Sequence, residues 1–283
     1  MPQTGSSFDV RSLSFLENRN LAASYGDGTI RIWDLFKRQS IYSFKGHSDP
    51  ILTSSALDWI YLASSSNRDI LIWDSQNANL VRNLTGHSDY VYHLLRMQNG
   101  LLLSASADET IKVWNLTDWS LVKTLEGHLD SVTCLAELNY DSVASGSQGG
   151  EIKIWSTSEW TISRSWQAHS TPIISLVLLP KQKYLASLNQ DKDIKIWDFN
   201  QGTIVKTLNS DQTIYSMVAS RNGDLVSASD KGNIDIWDVE KGLIKNTEFY
   251  GSNMIWCLAL DVKGRIAVGM GNGDIRILNV LNL

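Results

Sequence analysis

Six tryptophans stand at near-equal intervals along the chain, at positions 33, 73, 114, 155, 197 and 237. The spacings are 40, 41, 41, 42 and 40 residues, and 41 more lead to Leu278. The context travels with them. Ile30-Arg31-Ile32-Trp33-Asp34 returns as Ile70-Leu71-Ile72-Trp73-Asp74, as Ile194-Lys195-Ile196-Trp197-Asp198 and as Ile234-Asp235-Ile236-Trp237-Asp238. Residues 111–115, 152–156 and 275–279 carry looser copies. Alternation with period two marks a strand, and no stretch sustains the 3.6-residue period of a helix. Another alternating run precedes each copy (101–105, 184–188) and another follows (121–125, 204–208), with polar turns between. A sheet of a few short strands cannot bury both faces alone, but stacking such sheets in a ring buries them against neighbours. The spacing predicts an all-β, seven-bladed β-propeller of four-stranded antiparallel blades, one domain over residues 1–283.

The Trp-Asp endings, together with Gly46-His47, Gly86-His87, Gly127-His128 and the near match Ala168-His169, resemble the WD-repeat (WD40) β-propeller family over essentially the whole chain. The resemblance implies a hydrogen-bonded tetrad of His, Ser or Thr, a turn Asp and Trp. Buried imidazole, carboxylate and indole N–H groups all need partners, which gives such a tetrad its physical reason. The third repeat has all four matching positions: His87, Ser106, Asp108 and Trp114. The second offers His47, Ser65 and Trp73 with Asn67 for the Asp, and the fourth His128, Ser147 and Trp155 with Gly149. The fifth offers His169, Asp191 and Trp197, with Asn189 for the Ser. The first, sixth and seventh lack the His, so repeats two to five are expected to be the stiff part.

Composition excludes several functions. The net charge is −5 and the basic residues are scattered, unlike the basic stripe of a nucleic-acid surface. Apolar runs such as 176–180 are too short to cross a bilayer. Residues 1–10 form no secretory signal, and two cysteines make no disulfide framework. A cytoplasmic or nuclear protein is expected, with no membrane or nucleic-acid partner. No metal or cofactor is expected either, because the histidines fall in different repeats and no phosphate loop or nucleophile elbow occurs. His93 stands where other repeats carry Ser12, Thr53, Cys134, Ser175, Ser216 and Cys257; it reads as a core histidine donating to a neighbouring backbone group. Cys134 and Cys257, three blades apart, read as buried thiols too distant to pair. The sequons at Asn83 and Asn115 read as chance matches.

In a propeller, the loops entering each inner strand share one rim with the turns joining second and third strands. The resemblance makes this upper rim a common partner contact. By register it carries Arg11, Leu52, Tyr90, Tyr92, Ile174, Tyr215, Met254 and Trp256, an apolar and aromatic set with Arg11 its one clear cation. The expected function is a non-catalytic scaffold or adaptor that binds a peptide or protein there, as a monomer or a subunit of a hetero-complex. The same side chains would also serve as a channel plug. Two other readings stay open: a substrate-recognition module of a larger complex, such as a ubiquitin-ligase receptor, and an enzyme at the channel mouth, where only Asp9 and Asp230 offer acids. On the lower rim, Trp119 and Trp160 with Arg19, Lys181, Lys183, Arg221, Lys263 and Arg265 form either a weakly basic contact face or ordinary turn covers and solvated charges. Four residues follow Asn279 and four, including Pro2, precede Gly5-Ser6. The seventh blade is therefore expected to have a short or missing outer strand. That edge implies a longer protein, a covering partner or weak closure.

Overall fold

The computed structural model describes residues 8–181, 183–220 and 222–279. Among them twenty-seven strands form seven antiparallel meanders, six of four strands and one of three. The blades are all-β and stand in a ring: each inner strand packs on the next, and that of blade 7 (Ile255–Leu260) packs on that of blade 1 (Val10–Phe15). Blade 7 continues with Arg265–Met270 and stops at Ile275–Asn279. Among the described residues blade 7 thus has three strands; the expected missing outer strand concerns residues 1–7 and 280–283, which lie outside the described residues.

Burial follows the sequence alternation. In blade 3 the second strand (Leu101–Ser106) and third strand (Ile111–Asn115) are buried almost throughout, while the outer strand (Leu121–Leu125) is largely exposed. Each of the six repeat tryptophans lies near the end of a third strand and packs in a layer between blades. Trp155, for example, joins Val132, Leu135 and Val143 of its own blade to Leu103 and Val113 of blade 3. The ring closes through Val10, Leu13 and Tyr25 of blade 1 packed with Cys257 and Ala267 of blade 7. Among the described residues, no helix is long and apolar enough to cross a membrane.

A recurrent irregularity sits at the top of the inner strands. The pairing of inner and second strands skips one residue in blades 1, 3, 4, 5, 6 and 7. The skipped residues are Arg11, Tyr92, Thr133, Ile174, Tyr215 and Trp256. A bulge leaves its extra residue outside the ladder and re-aims its side chain.

Candidate partner-binding face

The bulges build the candidate site. Arg11, Tyr92, Ile174, Tyr215 and Trp256, with Leu52 of blade 2, line a central cavity of about 570 Å³. All six are half-buried. Tyr215 and Trp256 pack with ring centroids 4.9 Å apart. Tyr92 stacks on Tyr90 at 6.4 Å, and Tyr90, outside the lining, is exposed. Met254 also lies outside the lining; its carbonyl accepts the Gly271 N–H. Gly271 matters here because an added Cβ would lie 3.1 Å from Trp256 Nε1, so the missing side chain makes room for the indole.

Arg11 is held inside the fold. Its guanidinium lies 2.9 Å from Asp9 and 4.8 Å from the centroid of the Trp256 ring. Asp9 is fully buried, and burial raises its carboxyl above the ordinary range despite the opposing Arg11 charge. Asp230 is half-buried. Two exposed apolar residues extend the rim beyond the sequence expectation: Phe8 at 60% and Leu129 at 86% exposure. Leu129 replaces the serine that follows the histidine in blades 2, 3 and 5, at Ser48, Ser88 and Ser170. That substitution was readable in the sequence.

His93 also lines the cavity. The expected hydrogen bond to a backbone group is not made: its buried Nδ1 has no partner among the described residues. Burial pushes its imidazole down to about 4. His93 pairs with Ala105 in the ladder of inner and second strands, where the backbone groups are engaged in the sheet.

Below the rim, the polar network differs from the expected tetrad in one member. Ser104, not Ser106, joins His87 and Trp114: His87 Nε2 lies 2.7 Å from Ser104 Oγ, and Trp114 Nε1 donates to the same oxygen at 2.9 Å. His87 Nδ1 lies 2.7 Å from Asp108. Ser106 instead donates to the Asp89 carbonyl and accepts from the Asp108 N–H. The physical reason is register. Ser104 pairs across the sheet with Lys112, two residues before the tryptophan, which sets its hydroxyl between the rings. Ser64, Ser145 and Ser187 hold this place in blades 2, 4 and 5, each bonded to both His and Trp. Ser65, Ser147 and Asn189 do not. Blade 6 keeps Ser227 with Trp237, whereas Ala23 and Val268 occupy this register in blades 1 and 7. Asp191, a fifth-repeat candidate, is exposed, and His169 Nδ1 has no partner among the described residues.

On the lower rim, Trp119 and Trp160 cover turns. Trp119 packs edge-on against Tyr61 at 5.4 Å, and both pack against buried inter-blade clusters. Arg265 pairs with Asp261 at 2.7 Å, Arg19, Lys181, Lys183 and Lys263 are exposed, and Arg221 lies outside the described residues.

With this geometry established, comparison with known proteins decides the family. The profile of the WD domain, G-beta repeat, matches residues 2–34, 38–74, 78–115, 119–156, 160–198 and 202–238. This chain is a WD-repeat protein. The WD match is staggered against the blades: each repeat from the second onward begins near one blade's outer strand and ends on the next blade's tryptophan strand. The seventh blade, Ile255–Leu260, Arg265–Met270 and Ile275–Asn279, where Leu278 replaces Trp, lies outside those matches. Among curated proteins, Protein Notchless of Drosophila melanogaster is 30% identical over 82 residues, 28% of this chain and 16% of that protein. Autophagy-related protein 16 of Arabidopsis thaliana is 35% identical over 60 residues, 20% of this chain and 12% of that protein. The alignments therefore span under a fifth of either relative.

Proposed function

We propose that this propeller is a non-catalytic scaffold that seats a peptide or protein partner on its upper rim. WD-repeat propellers are typically protein-interaction scaffolds, and one observation carries the finer reading. Five of the six bulges aim Arg11, Tyr92, Ile174, Tyr215 and Trp256 into one cavity without burying them fully. Half-buried tyrosine and tryptophan supply large contact area at low entropic cost, as interface anchors do. The surrounding loops favour acids: Asp49, Asp89, Asp130, Asp191 and Asp211 are exposed there, against exposed Arg68 and Lys231. The partner is accordingly an extended or helical segment with an apolar or aromatic anchor flanked by basic residues. Asp9, one of two acids available for chemistry at the mouth, is buried and paired with Arg11, which fits a binding site better than a catalytic one.

The experiment is a comparative pull-down read by mass spectrometry. The baits are the wild type and a Tyr92→Ala, Tyr215→Ala, Trp256→Ala triple variant, with folding matched by circular dichroism. Loss of the captured partners with the variant supports the rim as the working face. Their persistence makes the aromatics a channel plug and removes the proposal.

A further inference from the structure

The lower face of blades 2 to 4 carries an aromatic arc in which the upper rim has no part. Trp59 and Tyr140 hold the same place in the turns between inner and second strands of blades 2 and 4, and they are 55% and 71% exposed. Trp119 and Trp160 hold the same place in the turns between third and outer strands of blades 3 and 4 and are half-buried. Each leans back over the preceding blade: Trp119 packs on Tyr61 of blade 2, and Trp160 packs on the layer that includes Leu101 of blade 3. The rings therefore run on from blade to blade. Both tryptophans hold left-handed φ, 63° and 57°, where blades 5 and 6 have Gly202 and Gly242. A bulky residue there pays a backbone cost that glycine avoids. The indole N–H groups of Trp59, Trp119 and Trp160 make no hydrogen bond to another described residue. The charge around the rings is one-sided. The six lower turns of these blades, residues 57–61, 74–79, 97–101, 115–120, 139–142 and 156–161, hold Asp58, Asp74, Asp118, Asp141 and Glu159 and no lysine or arginine. Arg96, just before the third of these turns, pairs with Glu17 at 3.8 Å. Lysine and arginine return in the lower turns of the other blades, as at Arg19, Lys37, Lys181, Lys241 and Lys263.

We propose that this arc docks a proline-rich segment of a partner chain in which lysine or arginine recurs between the prolines. Three properties select that chemistry. Proline rings pack on aromatic faces, and aromatic-lined surfaces are where polyproline II segments bind. A polyproline II helix makes no internal hydrogen bonds, so its carbonyls are free to accept from the indole N–H groups. An α-helix spends its carbonyls on itself and has no such need. The polyproline II helix also repeats every three residues, so a cation at every third position lies along one edge. That edge faces the acids while the prolines between face the rings, which matches the one-sided charge of these turns. The two faces of the propeller thus suit different ligands. The upper-rim aromatics enclose a cavity, which takes an inserted anchor. The lower-face rings lie along turns, which takes an extended segment laid across blades 2 to 4.

The probe is a labelled, end-capped peptide, Lys-Pro-Pro-Arg-Pro-Pro-Lys-Pro-Pro-Arg, titrated into the full chain and read by fluorescence anisotropy. It binds saturably, and added salt weakens it. The lower-face variant borrows residues that other blades already use at the same places: Trp59→Asn and Tyr140→Asn, as at Asn99, with Trp119→Gly, as at Gly202. It keeps its fold by circular dichroism and binds about tenfold or more weakly, as when aromatic anchors are removed from an interface. Asp141→Lys with Glu159→Lys, confined to exposed side chains, weakens binding without touching a ring. The upper-rim triple variant binds as the wild type does. In the wild type the peptide shifts the indole N–H resonances of Trp59, Trp119 and Trp160. Those of Trp114 and Trp155, bonded to serines, stay in place. Replacing each peptide Lys and Arg by Glu abolishes binding, and replacing each Pro by Ala weakens it. Four results overturn the proposal: no saturable binding; binding unchanged in either lower-face variant; an alanine peptide that binds as tightly, which makes the ligand a basic helix; or a dimer in sedimentation that the lower-face variant abolishes, which makes a second copy the occupant.

Discussion

At the scale of single residues, blade 3 holds a chain of groups that satisfy one another. Burial works to raise the Asp108 carboxyl, but bonds from His87, Thr110 and the Ser88 N–H outweigh it and hold the group well below the usual carboxylate range. Removing the carboxylate leaves His87 Nδ1 buried without its partner, so Asp108→Ala should cost about 1–3 kcal/mol in denaturant unfolding. A loss under about half a kcal/mol would mean the contact contributes nothing. Ser104→Ala strips both His87 and Trp114 of their shared oxygen and should cost more than Ser106→Ala in the same assay. The other histidines set the acid limit. Burial pushes His47 to about 4, His128 to about 3 and His169 to about 4. The unfolded chain takes up protons near pH 6.5 that the folded chain refuses. Their stabilisation is therefore complete above that pH and is lost as pH falls toward 4, by about 1.4 kcal/mol per unit for each ring. The Asp108 contribution behaves separately: it is present above pH 3.8 and fades only below it. Thermal melts should show Tm dropping between pH 7 and pH 5, with a shallower drop in His128→Asn. Equal slopes in the two proteins would count against neutral buried rings.

At the scale of elements, the strands were legible because alternation and the tryptophan interval both report backbone period directly. The irregular points were harder to read. The sequence placed Arg11, Tyr92, Ile174, Tyr215 and Trp256 at the mouth by counting from the first inner-strand apolar position. It could not show that a bulge puts them there, since a bulge is a mismatch between two strands. The serine was misplaced for the same kind of reason. Adjacent serines at 64, 65 and 66 look alike in sequence, and only the cross-strand pairing selects Ser64. The turns between third and outer strands carry their own strain. Arg38, Ala78, Trp119 and Trp160 adopt left-handed φ of 54°, 58°, 63° and 57°, at the place where blades 5 and 6 use Gly202 and Gly242. A Cβ in that region costs of order 1 kcal/mol, so Ala78→Gly should stabilise the protein by about 0.5 kcal/mol after the added freedom of the unfolded chain is counted. Gly232→Ala should do the reverse by about 2 kcal/mol or more, because its φ is +78° and a Cβ would meet the Gly251 carbonyl oxygen at 1.9 Å. Urea midpoints of the two variants should move in opposite directions.

At the scale of the whole molecule, the ring is a one-dimensional stack closed on itself, so stability depends on each blade-to-blade seam. Two seams permit a controlled comparison. Gly146 faces Cys134 in blade 4, and Gly269 faces Cys257 in blade 7. A Cβ at Gly146 would meet Cys134 Sγ at 2.8 Å and Ile173 of blade 5 at 2.9 Å. One at Gly269 would meet Cys257 Sγ at 2.5 Å and Val10 of blade 1 at 2.7 Å. The local insult is nearly the same, so any difference reports position in the ring. The seam between blades 4 and 5 lies among blades of four strands, with His-Ser-Trp contacts on both sides. The seam between blades 7 and 1 joins a blade with three strands among the described residues to one with Ala23 in place of the serine. Gly269→Val should therefore open the ring. Hydrogen exchange should speed up across the inner strands of blades 1 and 7, and protease should cut there first. Gly146→Val should raise exchange only near residues 134, 146 and 173 while the rest of the ring stays protected. If both variants loosen the whole ring equally, closure is shared evenly among the blades and blade 7 is no weaker than its neighbours.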